Sequence, residues 1–141
     1  MLKKIVLLAI MSSVGMAMAQ DITGKWRTVD DKTKKPKAVV QITKNGNVYS
    51  GRIISLEAGV DPNCGDCSGE AKGKPLVGKT VLRGLKDDGD GGYEKGQIID
   101  PKNGNTYTAA ATLENGGNTL NVRAYIGVKF AGRTQSWQRV K

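Results

Sequence analysis

The side chains with which this chain could do chemistry are two cysteines, several arginines set inside strands and a cluster of aspartates; it has no histidine. The missing imidazole removes every Ser-His or Cys-His nucleophile pair and the commonest transition-metal ligand. Cys64-Gly65-Asp66-Cys67 has the spacing of a redox pair or of half a zinc site. A redox thiol needs a helix start or a βαβ setting to lower its pKa, and zinc needs a second pair or a histidine. The sequence offers neither. For an exported chain with two cysteines a local disulfide is expected, contributing ~2 kcal/mol in the loop-entropy picture and shaping the loop that holds it. Asp87-Asp88-Gly89-Asp90-Gly91-Gly92, with Glu94 beyond, resembles a calcium loop in composition but not in spacing, and reads as a solvated turn. Asp30 and Asp31 are adjacent and point to opposite sides if extended, and no nucleophile stands beside a base. No catalysis, metal or cofactor is expected.

Binding is the remaining chemistry. On 48–56, Arg52 shares an alternation face with Val48, Ser50, Ile54 and Leu56, which predicts an inward guanidinium needing an acid or an anionic ligand. Arg123 shares a face with Asn121, Tyr125 and Gly127, opposite apolar Leu120, Val122, Ala124 and Ile126, and so looks outward unless the interior is polar. Arg52, Arg123, Tyr125 and Arg133 are the candidates for greeting an anionic head group. Against this stands the simpler role of arginines that keep their heads in water.

A second constellation is structural. Alternation puts Arg133, Gln135, Trp137 and Arg139 on one face of the last strand. If that strand pairs with the first, Arg139 can lie over the Trp26 ring, a contact of ~0.5–2 kcal/mol, and Gly24 lets the chain pass close beneath. Gly24, Trp26, Trp137 and Arg139 are therefore expected to close one end of a barrel.

Positioning these groups falls to short strands. Period-two alternation predicts strands at 24–29, 38–43, 48–56, 76–85, 93–99, 105–113, 119–126 and 133–140, with no sustained helical stripe. Lys44-Asn45-Gly46-Asn47, Asp100-Pro101-Lys102-Asn103-Gly104 and Asn115-Gly116-Gly117-Asn118 are hairpin turns. Only 57–75 is too long for one. Eight hairpin-linked strands predict an all-β, antiparallel up-and-down barrel, in preference to a two-sheet sandwich. Its interior is just wide enough for side chains or one small ligand.

Residues 1–19 have the three parts of an export signal: Lys3 and Lys4, an apolar run from Ile5 to about Val14, and Ala17-Met18-Ala19 at the cleavage point. The apolar run is too short for a membrane span, and none is expected later. Residues 20–141 are expected to form one domain, periplasmic or secreted. Without Lys3 and Lys4 there are 20 basic residues against 13 acidic, a net charge of about +7. The lysines are scattered and no aromatic ladder interleaves with them, so nucleic-acid binding is not expected.

A Gly-x-Trp on the first strand with a C-terminal arginine resembles the closed end of lipocalins and fatty-acid-binding proteins. The chain also resembles a bacterial family known as domain of unknown function 2147. The residues that carry this are Gly24-x-Trp26, Asp30-Asp31, Lys35-Pro36-Lys37, Cys64-x-x-Cys67 and Pro75-Leu76-Val77-Gly78. The resemblance continues through Ile98-Ile99-Asp100-Pro101-x-Asn103-Gly104-x-x-Tyr107, Val122-Arg123-x-Tyr125-Ile126-Gly127 and Gly132-Arg133-Thr134-Gln135-x-Trp137-x-Arg139. It implies an envelope location and a lipocalin-like barrel, with no established activity. Lys32-Thr33-Lys34 departs from the family, which often has a glycine before its Lys-Pro, and this bears on the turn alone.

The leading expectation is a non-enzymatic periplasmic barrel for a small apolar or anionic ligand. The alternative is an envelope interaction module with a solid core, using its surface and the 57–75 loop on a partner. Oligomeric state is not specified by the sequence.

Overall fold

The computed structural model describes residues 21–128 and 131–141; the expected export signal lies outside them. Eight strands follow in chain order: β1 Gly24–Val29, β2 Pro36–Asn45, β3 Val48–Leu56, β4 Thr80–Asp87, β5 Gly92–Ile99, β6 Thr106–Glu114, β7 Thr119–Tyr125 and β8 Gly132–Val140. Each pairs antiparallel with the next, and β1 closes on β8 through Lys25↔Val140, Trp26↔Arg139 and Arg27↔Gln138. The result is a closed up-and-down barrel without sheet edges. Its connections divide into two sets. Residues 21–23 and the tight turns after β2, β4 and β6 gather at one end; the segments 30–35, 57–79 and 100–105 and residues 126–128 gather at the other.

Inward positions carry the apolar side chains that the alternation demands. Trp26, Ile42, Leu82, Leu85 and Leu120 are fully buried, with Tyr49, Tyr93 and Trp137 close to it. Two glycines on inward positions set how closely the strands approach. A Cβ on Gly51 would come within 2.8 Å of Val40, and one on Gly96 within 2.8 Å of Leu85.

Two expectations are corrected by register. Arg52 is exposed on the outer wall, beside Gln41, Thr43, Ser50 and Thr80, and does not face inward. A bulge opposite Val39 and Val40 leaves Ile54 without a partner, because Val39 meets Ser55 and Val40 meets Ile53. The bulge shifts the alternation phase, so Leu56 turns inward although it shares parity with Arg52. The fourth strand begins at Thr80 and not at Leu76. Leu76 donates its N–H to the Pro62 carbonyl and Gly78 sits at φ +95°, so 76–79 belongs to the long loop. In the first loop Lys34 takes a left-handed φ of +63°, the conformation a glycine there would adopt without strain.

Candidate functional site

β8 carries one line of inward residues from one end of the barrel to the other. At the tight-turn end Arg139 sits 4.4 Å above the Trp26 ring. Its Nε donates to the Gly117 carbonyl at 2.7 Å, Nη1 to Thr23 at 2.8 Å and Nη2 to Asp21 at 2.8 Å. The planar fork thus ties β8, the β6–β7 turn and the N-terminal segment together. Gly24 lies directly beneath: at φ +130°, a Cβ there would stand 2.7 Å from Nη1. Trp26 Nε1 donates to the carbonyl of Ile22, which is itself fully buried. Tyr49 and Tyr93 meet edge to face at 5.2 Å, and the Tyr49 hydroxyl donates to Asp21. Burial, with the negative charge of Asp21 behind it, pushes Tyr49 up to about 12; burial and the neighbouring Tyr49 do the same for Tyr93. Burial alone would raise the Asp21 carboxyl, but hydrogen bonds from Thr23 and Tyr49 outweigh it and hold the group low. This end is sealed.

The long-loop end is open. A cavity of about 250 Å³ enters the barrel there. Val40, Ile53, Val81 and Val122 form its apolar walls, and Val60 and Leu76 of the long loop cover it; Trp137, expected at the closed end, lies among these walls because it sits midway along β8 between Arg133 and Arg139. The rim is polar. Trp137 Nε1 donates to Gln135 Oε1 at 2.8 Å, and Gln135 Nε2 donates to Asp31 Oδ1. Arg133 lies 3.5 Å from Asp31 and 3.9 Å from Asp100, with its guanidinium 5.9 Å from the Tyr107 ring centre. Lys32, Lys37 and Lys102 line the same rim. Its acids are turned to local donors: Asp30 Oδ1 accepts from the N–H groups of Lys32 and Thr33, and Asp100 Oδ1 from that of Lys102. These backbone donors hold the Asp30 carboxyl below its usual range.

The long loop is folded, not slack. Cys64 and Cys67 are joined in a disulfide and buried. Cys64 donates its N–H to Lys74 O, and Asn63 bridges Pro75. Cys67 packs against Gly104 of the 100–105 turn so closely that a Cβ there would lie 3.0 Å from the sulfur. The two segments are thereby locked side by side over the mouth.

Of the four arginine-and-tyrosine candidates, Arg133 alone reaches the cavity. Arg52 is on the outer wall, while Arg123 and Tyr125 lie on the outward face of β7, where Arg123 donates to Thr134 at 2.8 Å. Gln135 shares the Arg133–Trp137 face, but alternation alone gives an uncharged amide no mark as a rim residue. Asp31, Asp100, Lys37, Lys102 and Tyr107 come from three segments that only closure unites. The 87–92 turn spends its acids on itself: Asp87 accepts from Gly89, and Asp88 from Asp90 and Gly92. Among the described residues no group of three or more Cys, Asp or Glu side chains is placed to hold a metal, and no helix is long and apolar enough to cross a membrane.

An eight-stranded closed barrel, plugged at one end by an arginine over a tryptophan and hollow at the other, defines a lipocalin-like protein. The solved structure of protein HP1028 from the human pathogen Helicobacter pylori, described as belonging to the lipocalin family, superposes with a TM-score of 0.76 at 18% identity, covering 87% of this chain and 85% of that one. The chain belongs to the DUF2147 family, uncharacterized proteins conserved in bacteria, whose sequence profile matches residues 24–139. No curated protein matches it by sequence.

Proposed function

We propose that this protein is an exported, non-enzymatic carrier that holds a small molecule with an apolar body and an anionic head. The observation behind this reading is the cavity of about 250 Å³, apolar within and rimmed by Arg133, Lys37 and Lys102. That volume lies just below the usual range of about 300–1,000 Å³ for ligand pockets, so the cargo is small. An apolar body would contact Val40, Ile53 and Trp137. Its head would meet Arg133, whose carboxylate partners stand at 3.5 and 3.9 Å and leave room for a closer anion. Export fits the leader and the disulfide, since such bonds persist outside the cytoplasm.

The test uses octanoate as probe. Trp137 lines the cavity and Trp26 is sealed away from it, so tryptophan emission should change saturably on titration. Val122→Phe, which fills the cavity, should abolish the change, and native mass spectrometry of protein from its own cells should find a co-purifying small molecule. A flat titration together with an unliganded native mass would overturn the carrier reading in favour of an envelope interaction module.

A further inference from the structure

Three large apolar side chains are conspicuously exposed among the described residues: Val77 at 51%, Ile126 at 70% and Val128 at 49%. All three stand at the open end. Val77 is in the 57–79 loop between β3 and β4, and Ile126 and Val128 follow β7. In a closed ring of eight strands these two loops are four strands apart, so the apolar tips flank the mouth from opposite sides. Val77 is not a displaced core residue, because its neighbour Leu76 is buried and lines the cavity while Val77 projects away.

The same end carries basic side chains. Lys32, Lys34 and Lys35 are exposed on the β1–β2 loop, Lys72 and Lys74 on the long loop, and Lys102 on the 100–105 turn. Counting 30–37, 57–79, 100–105 and Arg133, this end holds nine Lys and Arg against seven Asp and Glu. The opposite end, taking Asp21, Lys25, Lys44, 86–95, Glu114, Arg139 and Lys141, holds six of each.

We propose that the open end docks on an anionic lipid surface, with the apolar tips entering the headgroup boundary and the lysines meeting lipid phosphates. Separate apolar tips on either side of an opening do not form the contiguous buried centre that a stable protein interface requires. A fluid bilayer accommodates dispersed tips, and its negative charge matches the basic excess. The surface follows from its own geometry and takes from the carrier reading only its purpose, which is to bring the cavity mouth to a lipid phase.

Flotation of the protein purified from its own cells with vesicles tests this. Binding should be strong on phosphatidylglycerol–phosphatidylcholine vesicles, weak on phosphatidylcholine alone, and weaker with added salt. Val77→Asp with Ile126→Asp should lower partitioning roughly tenfold or more. Lys35→Glu with Lys72→Glu, neither of which lines the cavity, should lower it on anionic vesicles only. All four residues are exposed, so the fold should be retained, and thermal unfolding confirms that it is. Octanoate binding in the same variants is expected to be unchanged, which separates failure of docking from failure of the carrier reading. Equal binding to both vesicle types, no binding by the wild type, or variants that bind as the wild type does would overturn the proposal. Capture of a protein partner by a wild type that ignores vesicles would overturn it equally.

Discussion

Arg139 and Arg133 lie six residues apart on one face of β8, yet they do opposite things. Arg139 donates from each of its three nitrogens to a backbone carbonyl at 2.7–2.8 Å and is stacked on Trp26. Arg133 is 57% exposed in its side chain, with two carboxylates no nearer than 3.5 Å. Strand geometry gives both the same inward direction. The difference lies in what the adjoining segments present: at one end backbone carbonyls of the N-terminal segment and of one tight turn, at the other carboxylates on longer loops. A guanidinium held on all sides by rigid acceptors is part of the frame. One held loosely by solvated acids remains available.

Breaking the sealed end should have the largest effect. Arg139→Met leaves three carbonyls without their charged donor and removes the cation–π contact, so stability should fall by about 3 kcal/mol. The urea midpoint, at unchanged denaturant slope, reports this directly. Gly24→Ala attacks the same plug from below. It forces a Cβ into φ +130° and towards Arg139, and about 2 kcal/mol should be lost. A loss under half a kcal/mol would mean that Arg139 moves aside cheaply and is less fixed than the geometry implies.

Alkaline pH probes the sealed end without mutation. Tyr49 and Tyr93 are pushed up to about 12 from an ordinary value of 10, so folding favours their neutral forms. Their contribution is complete below pH 10 and is lost as pH rises towards 12. Stability should fall by about 1 kcal/mol for each tyrosine between pH 10 and 11, about 2 kcal/mol together, and Tyr49→Phe should roughly halve that fall. At the open end, Arg133→Met should change stability by less than about 0.5 kcal/mol, since exposed ion pairs contribute little. It should nevertheless weaken octanoate binding several-fold. A stability loss rivalling that of Arg139→Met would erase the distinction between the two ends.

Much of the sealed end could be read in advance. Gly24, Trp26 and Arg139 sit near the two termini of the domain, and strand alternation fixes their faces, so the expectation needed only one assumption, that the first and last strands pair; Trp137, expected beside them, lines the cavity instead. The open end was less legible. Alternation marks Arg133 no more strongly than Arg52, Arg123 and Tyr125, which lie on the outer surface. Arg52 was misassigned because a bulge changes phase without any glycine or proline to announce it, and Ile54 and Leu56 lent it false apolar company. The rim residues Asp31, Lys37, Asp100 and Lys102 lie in turns, where periodicity says nothing about direction.

Period-two patterning and turn residues were enough, from the chain alone, to establish eight strands, their hairpin order and a closed barrel. These are local properties, set by alternation and by the backbone preferences of glycine, asparagine and proline. Whether the barrel was hollow, which arginine reached the hollow, and how the disulfide loop lay against the 100–105 turn were decided by the tertiary structure. Each depends on register and on the distance between segments far apart in sequence, where one extra residue at a bulge reverses a side chain and a glycine facing a sulfur lets two loops meet.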